Sequence, residues 1–177
     1  MASKSKEKHA KLNLGQEPCN AILDRMSPHV PYFIHLLFSQ LGQLPLSKRN
    51  PLTTERLEDV YMRRVLGPTC KHYFDHYRTR LGRYGKRLER SASALLTAVA
   101  DSATGRVGAS ALYDVYRSAC GPAGNDLEFE ELLADLECDW YLTLDPHTNE
   151  YFFMVDVMRD WWRRWFGLAR RRRASAE

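Results

Sequence analysis

The residues of this chain that could do chemistry gather in a basic and aromatic segment, residues 71–90. Its cations and rings alternate in the order Lys71, His72, Tyr73, Phe74, His76, Tyr77, Arg78, Arg80, Arg83, Tyr84, Lys86, Arg87 and Arg90. Positive charge interleaved with stacking rings is how proteins hold single-stranded nucleic acids. The predicted phosphate contacts are its last four cations, Arg83, Lys86, Arg87 and Arg90. These contacts belong to the alternative interpretation: Tyr73, Phe74 and Tyr77 fall on one helical stripe, which is more often core, and the favoured interpretation is buried rings with a solvated basic face.

No arrangement typical of an enzyme or a metal centre accompanies this segment. His72 and His76 have a spacing that can share a metal, but the Glu of a HExxH site and a third ligand are missing. The Gly85-Lys86 pair lacks the G-x-x-x-x-G-K-[ST] pattern and follows no predicted strand. No serine stands in a G-x-S-x-G setting. The sequence therefore predicts no catalytic residue and no metal site.

Cysteine usage and hydropathy indicate a cytoplasmic protein. Cys19, Cys70, Cys120 and Cys138 are far apart and form no CxxC pair, so we expect reduced thiols. No apolar run approaches the roughly 18–20 residues that a membrane span needs. The basic residues 1–11 lack the apolar core of a signal peptide, so we expect neither export nor membrane insertion.

The second half of the chain shows the pattern of a winged helix-turn-helix. Periodicity predicts helices over residues 84–100, 109–120 and 126–139, a turn at 101–108, strands at 140–144 and 151–155, and a final helix from residue 156 to about 168. Asn125 and Glu128 form a capping pair for the third helix, whose apolar stripe includes Leu127. On the final helix Trp161 and Trp165 are expected to face the core. Trp162 is either core or an exposed docking residue.

The third predicted helix, residues 126–139, has the wrong charge for DNA. A helix that reads the major groove needs Arg, Lys, Asn or Gln on its outer face, whereas this one carries only Asp and Glu. Phosphates opposite that face would weaken binding. We expect it either to be solvated or to meet a basic surface, for which the chain offers Arg163, Arg164 and the run 170–173.

The first half predicts a small all-helical subdomain. Apolar residues wrap most of the helix 31–41, which Pro31 opens and Gly42 ends, so we expect that helix to be buried. Thr53 caps the next helix. Fold class is thus mainly α, divided into a disordered basic tail (1–17), a helical lid-like subdomain (18–82), a winged-helix domain (83–168) and a frayed basic tail (169–177).

Two segments together resemble one protein family. Residues 31–37, PYFIHLL, resemble the PYFIQLL-type helix that follows the nucleotide-binding core in prokaryotic P-loop ATP-binding proteins of the AAA/STAND kind. The ending is also similar: a YL strand at 141–142, a turn, YFF at 151–153, and RDWW at 159–162. In that family a helical lid follows the core, and a winged helix follows the lid. The resemblance covers about residues 21–166.

The resemblance implies that the chain corresponds to the carboxy-terminal part of such an ATPase, as a fragment, a truncated reading frame or a split subunit. The Walker A and Walker B elements of a complete member are not in this sequence. We therefore expect no cofactor bound by this chain alone, and ATP in a full-length parent. The family's proline near the adenine corresponds to Pro31, although the usual glycine shortly before it is replaced by Ser27, Pro28 and His29.

Two functions follow as hypotheses. The first is a non-catalytic interaction module, in which the lid-like subdomain and the winged helix couple the nucleotide state of a P-loop core to a protein partner. The second is a nucleic-acid-binding winged-helix protein that uses the basic 71–90 face or the arginine tail. Neither involves a membrane or a metal.

Overall fold

The computed structural model describes residues 15–49, 51–121 and 124–167, and within them the protein is mainly helical with one small antiparallel sheet. The chain divides into two compact units, Met1–Tyr73 and Phe74–Glu177. The boundary that the sequence suggested, after residue 82, lies inside the second of them.

Helices form the first unit. They are α1 (Gln16–Arg25), α2 (Pro31–Gly42), α3 (Leu46–Arg49), α4 (Thr54–Val60), a π-helical turn (Tyr61–Val65), a 3-10 turn (Pro68–Cys70) and the start of α5 (Lys71–Arg80). Thr53 caps α4 as predicted, because its hydroxyl accepts the Arg56 N–H at 3.3 Å. Local hydrogen-bonding chemistry therefore sets this helix start.

Helix α2 is not buried on all sides, contrary to expectation. Its core face is Phe33, Leu36, Leu37, Gln40 and Leu41. Pro31, Tyr32, His35 and Ser39 are exposed. A histidine and a serine at helical spacing form a polar edge, which the apolar count of the whole helix concealed.

In its described residues the second unit contains a 3-10 turn, four helices and three strands after α5. They are the turn Leu81–Tyr84, α6 (Gly85–Asp101), β1 (Arg106–Gly108), α7 (Ala109–Cys120), α8 (Asp126–Cys138), β2 (Leu142–Asp145), β3 (Glu150–Phe153) and α9 (Asp156–Phe166). The sheet is antiparallel in the order β1-β3-β2. The predicted hairpin is confirmed, with Leu144 opposite Tyr151.

Strand β1 was missed, since residues 101–108 were predicted as a turn only. Arg106 pairs with Phe152, and Gly108 pairs with Glu150. A three-residue edge strand containing a glycine is too short to show alternation, so its pairing with β3 comes from tertiary contact.

Aromatic rings from α5 and α9 form the core of the second unit. Trp161 stacks on Phe74 with ring centroids 5.5 Å apart, and both side chains are fully buried. Trp162 is also core: its Nε1–H donates to Thr97 Oγ1 on α6 at 3.1 Å. Trp165 was predicted to face the core but is only half-buried.

Two other apolar side chains predicted to be internal are on the surface. Tyr73 is 40% exposed, although Phe74 beside it is buried. Leu127 is 70% exposed in the first turn of α8. Each lies at one edge of its predicted stripe, where the neighbouring helix decides which side chains are covered.

Candidate interaction surface

Helix α8 begins where the sequence placed it. The Asn125 side chain accepts the Glu128 N–H at 2.9 Å, which confirms the predicted cap. The Glu128 carboxylate is bonded to other helices. Capping therefore fixes the start of α8 and leaves that carboxylate available for a tertiary contact.

Glu128 joins three helices of the second unit. Arg87 on α6 makes a two-pronged contact with it, one arm at 2.6 Å, and the hydroxyl of Tyr116 on α7 donates to the same carboxylate. The Arg87 hydrogen bonds, followed by that of Tyr116, lower the pKa of Glu128 from 4.5 to about 2. The same contact raises the pKa of Arg87. This geometry matches a carboxylate to a planar guanidinium, so Arg87 is committed to an internal ion pair.

A second carboxylate, at the carboxyl end of α8, is likewise bound by an arginine and a tyrosine. Arg80 on α5 reaches Asp139 Oδ1 at 2.5 Å, and the Tyr84 hydroxyl donates to Asp139 Oδ2 at 2.6 Å. Burial, followed by the hydrogen bond to Asp139, raises the pKa of Tyr84. The two oxygens of one carboxylate therefore hold the 3-10 turn and the end of α5.

The acidic helix and the basic segment 71–90 thus partly neutralise each other. The acidic helix was expected to meet Arg163, Arg164 or the run 170–173, or to be solvated. Its ion pairs in the described residues go instead to Arg80 and Arg87, while residues 170–173 lie outside those residues. The choice of basic partner for α8 depends on how the helices pack, which the sequence alone did not show.

Of the four predicted phosphate contacts, Arg87 is therefore internally paired. Arg83, Lys86 and Arg90 are exposed, and none of them forms an ion pair with a described residue. Lys86 and Arg90 stand one turn apart on α6 and so share a face.

The outer side of α8 remains strongly negative. Its exposed carboxylates, which we call the acidic face, are Asp126, Glu130, Glu131 and Asp135. Within the described chain Asp126 accepts a hydrogen bond from Tyr113, and none of the four pairs with a cation. Leu127 is exposed among them.

An open groove of about 270 Å³ borders the acidic face. Helices α7 and α8 line it with Ala109, Ser110, Tyr113, Asp126, Phe129 and Glu130. Phe129 is buried and meets the Tyr113 ring edge-on at 5.2 Å between centroids. The groove lining thus combines two aromatic rings with two carboxylates of α8, Asp126 and Glu130.

Trp140, predicted as the start of a strand, ends α8 instead. Its φ is 66°, in the left-handed region, and its side chain is 64% exposed. Its N–H bonds to the Glu137 carbonyl at 3.0 Å, and the Tyr141 N–H bonds to the Leu136 carbonyl at 2.9 Å. These two bonds define a Schellman cap, whose left-handed position usually holds glycine. The apolar run beginning at Trp140 imitated a strand, and only the backbone shows the cap.

The other predicted site residues show no shared centre. Pro31 opens α2 and is exposed. The His72 and His76 rings lie against Tyr73 and Tyr77, with centroids 3.9 Å and 4.0 Å apart. In the described parts of the chain no three His, Cys, Asp or Glu side chains are grouped so that they could hold a metal.

All four cysteines fall within the described ranges, and each is a free thiol. Among the helices described, none has both the length and the apolarity needed to cross a bilayer.

The surface residues that sequence reasoning missed are Leu127 and Trp140. For Leu127 the sequence contained one indication of exposure. It directly follows Asp126, the first acidic residue of the helix, at the start of the exposed side. Trp140 had none, because a tryptophan seldom adopts the left-handed conformation.

Comparison with known proteins does not add to this picture. No family model, no curated protein and no solved structure matches the chain.

Proposed function

We propose that this protein is a non-catalytic interaction module, a helical lid with a winged helix-turn-helix, that couples a P-loop nucleotide-binding core to a protein partner. One observation carries the proposal: α8, which would be the recognition helix, presents carboxylates outward. The two cations that pair with this segment, Arg80 and Arg87, bind Asp139 and Glu128 and not the outward carboxylates. Such a surface repels nucleic acid and suits a protein.

The arrangement of the second unit supports the winged-helix part. A helix, a short strand, two helices and a hairpin follow in order, and β1 joins the outer side of β3 to complete a small sheet. Helices α7 and α8 follow one another in the chain, and in the proposal the segment between them is the turn of the helix-turn-helix. The hairpin is the wing of this proposal.

The lid part rests on the first unit and on the resemblance of α2. A lid transmits a nucleotide state only if its contacts differ between states. Pro31 and Tyr32 at the start of α2 are exposed. In the proposal, Pro31 lies against the base of an ATP held by the core.

The test pairs this chain with the P-loop core encoded beside or upstream of it, identified by a Walker A motif in the flanking DNA. ATP hydrolysis and nucleotide affinity are measured with and without the chain, with Pro31→Ala, and with Pro51→Ala as an exposed control. Both rate and affinity should respond to the chain, and Pro31→Ala should weaken ATP binding while Pro51→Ala leaves it unchanged. A flanking region without a Walker A, or a core indifferent to the chain, would reject the proposal.

A second candidate, nucleic-acid binding, is favoured by the exposed Arg83, Lys86 and Arg90, which form no ion pair with any residue that the structure describes. Three neutralised phosphates on a single strand predict a slope of log affinity against log salt of about −2. Binding to single-stranded DNA and RNA is compared at about 50 mM and about 200 mM salt for the wild-type protein and for a variant with all three changed to Gln. The interaction-module proposal expects no such salt-dependent binding. Binding that the triple change abolishes would favour this second candidate.

A further inference from the structure

The acidic face of α8 carries negative charge that the rest of the described chain does not neutralise. Glu128 on this helix and Asp139, which directly follows it, are each held by an arginine. Glu130, Glu131 and Asp135 have no ion pair with a described residue, and the last two stand four residues apart, where like charges repel. The helix therefore keeps an unfavourable charge pattern on its exposed side.

Apolar surface lies directly beside these carboxylates. Phe129 and Tyr113 are among the residues that line the groove between α7 and α8. Leu127 adds a 70%-exposed leucine on the same turn of α8. Exposed apolar surface rimmed by charge is typical of a protein docking site.

We propose that the acidic face and the α7–α8 groove together dock a basic amphipathic peptide segment of a protein partner. An apolar side chain of the segment enters the groove over Phe129, and flanking Lys or Arg side chains meet Glu130 and Glu131. Charge complementarity selects this occupant, because nucleic acids and anionic lipid surfaces would be repelled. The inference rests on the proposed interaction-module function and names its partner chemistry.

The experiment measures binding of a labelled synthetic peptide of arginines and leucines to the full chain by fluorescence anisotropy. Two comparison peptides replace its arginines with glutamates, or its leucines with serines. Protein variants are Glu130→Gln with Glu131→Gln, and Leu127→Ala. Matched controls from the first unit are Glu17→Gln with Glu55→Gln, and Leu23→Ala, all at exposed positions.

The wild-type protein should bind the arginine–leucine peptide and neither comparison peptide. Removing the two carboxylates should weaken binding about fivefold to tenfold at about 50 mM salt and less at higher salt. Leu127→Ala should weaken it about fivefold, since part of a leucine side chain is then no longer buried. The control variants should bind like the wild-type protein.

Equal binding by the wild-type protein and the Glu130/Glu131 variant would overturn the proposal, as would equal binding of the serine peptide. A variant lacking residues 168–177 addresses the chain's own arginines. If this deletion raises peptide affinity severalfold, the occupant is the chain's own tail and the proposal is wrong. If the wild-type chain does not bind the arginine–leucine peptide but still changes ATP hydrolysis and nucleotide affinity of the P-loop core, this inference is rejected and the proposed function stands.

Discussion

At the cap that ends α8, we expect the usual order of stability between alanine and glycine to be reversed. Alanine is normally more stabilising than glycine in and around helices. At residue 140 the backbone has a φ of 66°, which glycine adopts without strain. We therefore expect Trp140→Gly to be more stable than Trp140→Ala.

The size of the difference follows from two opposing terms. A non-glycine residue in the left-handed region costs roughly 1–2 kcal/mol. Glycine loses about 0.5–1 kcal/mol more backbone entropy on folding. The balance favours glycine by up to about 1.5 kcal/mol, with roughly 0.75 kcal/mol at the centre of the range. The lost contacts of the tryptophan ring are common to both variants and cancel.

Urea denaturation, followed by circular dichroism, measures this difference directly. Ala134 is the matched control, because it is exposed in the middle of α8 and has ordinary helical neighbours. Ala134→Gly should lower the free energy of unfolding by about 1 kcal/mol. If Trp140→Ala equals or exceeds Trp140→Gly in stability, the assignment of residue 140 to a Schellman cap is refuted.

Three further predictions concern contacts within the second unit. Tyr84→Phe removes a 2.6 Å hydrogen bond to the partly exposed Asp139 and should lower the free energy of unfolding by about 1–2 kcal/mol in urea titration; no loss would contradict the bond. Thr97→Val deprives the buried Trp162 indole of its acceptor and should cost about 1–3 kcal/mol, whereas Thr97→Ser should cost much less; equal losses would argue against that bond. Because the pKa of Glu128 is about 2 when folded and 4.5 ordinarily, its contribution is present above pH 4.5 and is lost as the pH falls toward 2. Wild-type stability should therefore fall more steeply over that window than the stability of Glu128→Gln, and parallel curves would contradict the ion pair.

The second candidate function, nucleic-acid binding, is tested most sharply by substituting the exposed Arg83 and the paired Arg87 separately. Arg87 is bonded to Glu128, whereas Arg83 is exposed, although the sequence presents them as members of one basic segment. A functional role in phosphate binding would depend on Arg83 and its exposed neighbours. Effects of Arg87 substitution on binding would instead follow from loosening of α8.

Much of the fold could be predicted because its signals are local. Thr53 and Asn125 cap helices through hydrogen bonds that span three residues, so their identity and spacing were sufficient. The hairpin was visible because two aromatic and aliphatic runs flank a short polar turn. Periodic burial likewise predicted the helices of the second unit, apart from side chains at the edges of their stripes.

The sequence by itself therefore determined most of the helices, the N-caps at Thr53 and Asn125, the hairpin and the concentration of opposite charges in two segments. Only the tertiary structure decided that these charges meet, since Arg87 and Glu128 are 41 residues apart and Arg80 and Asp139 are 59 apart. It also decided that β1 joins the sheet and that Trp140 stands exposed in a left-handed cap. Local preferences act over one or two turns of chain, whereas the choice of partner for a charge or a strand edge depends on which elements the shared core brings together.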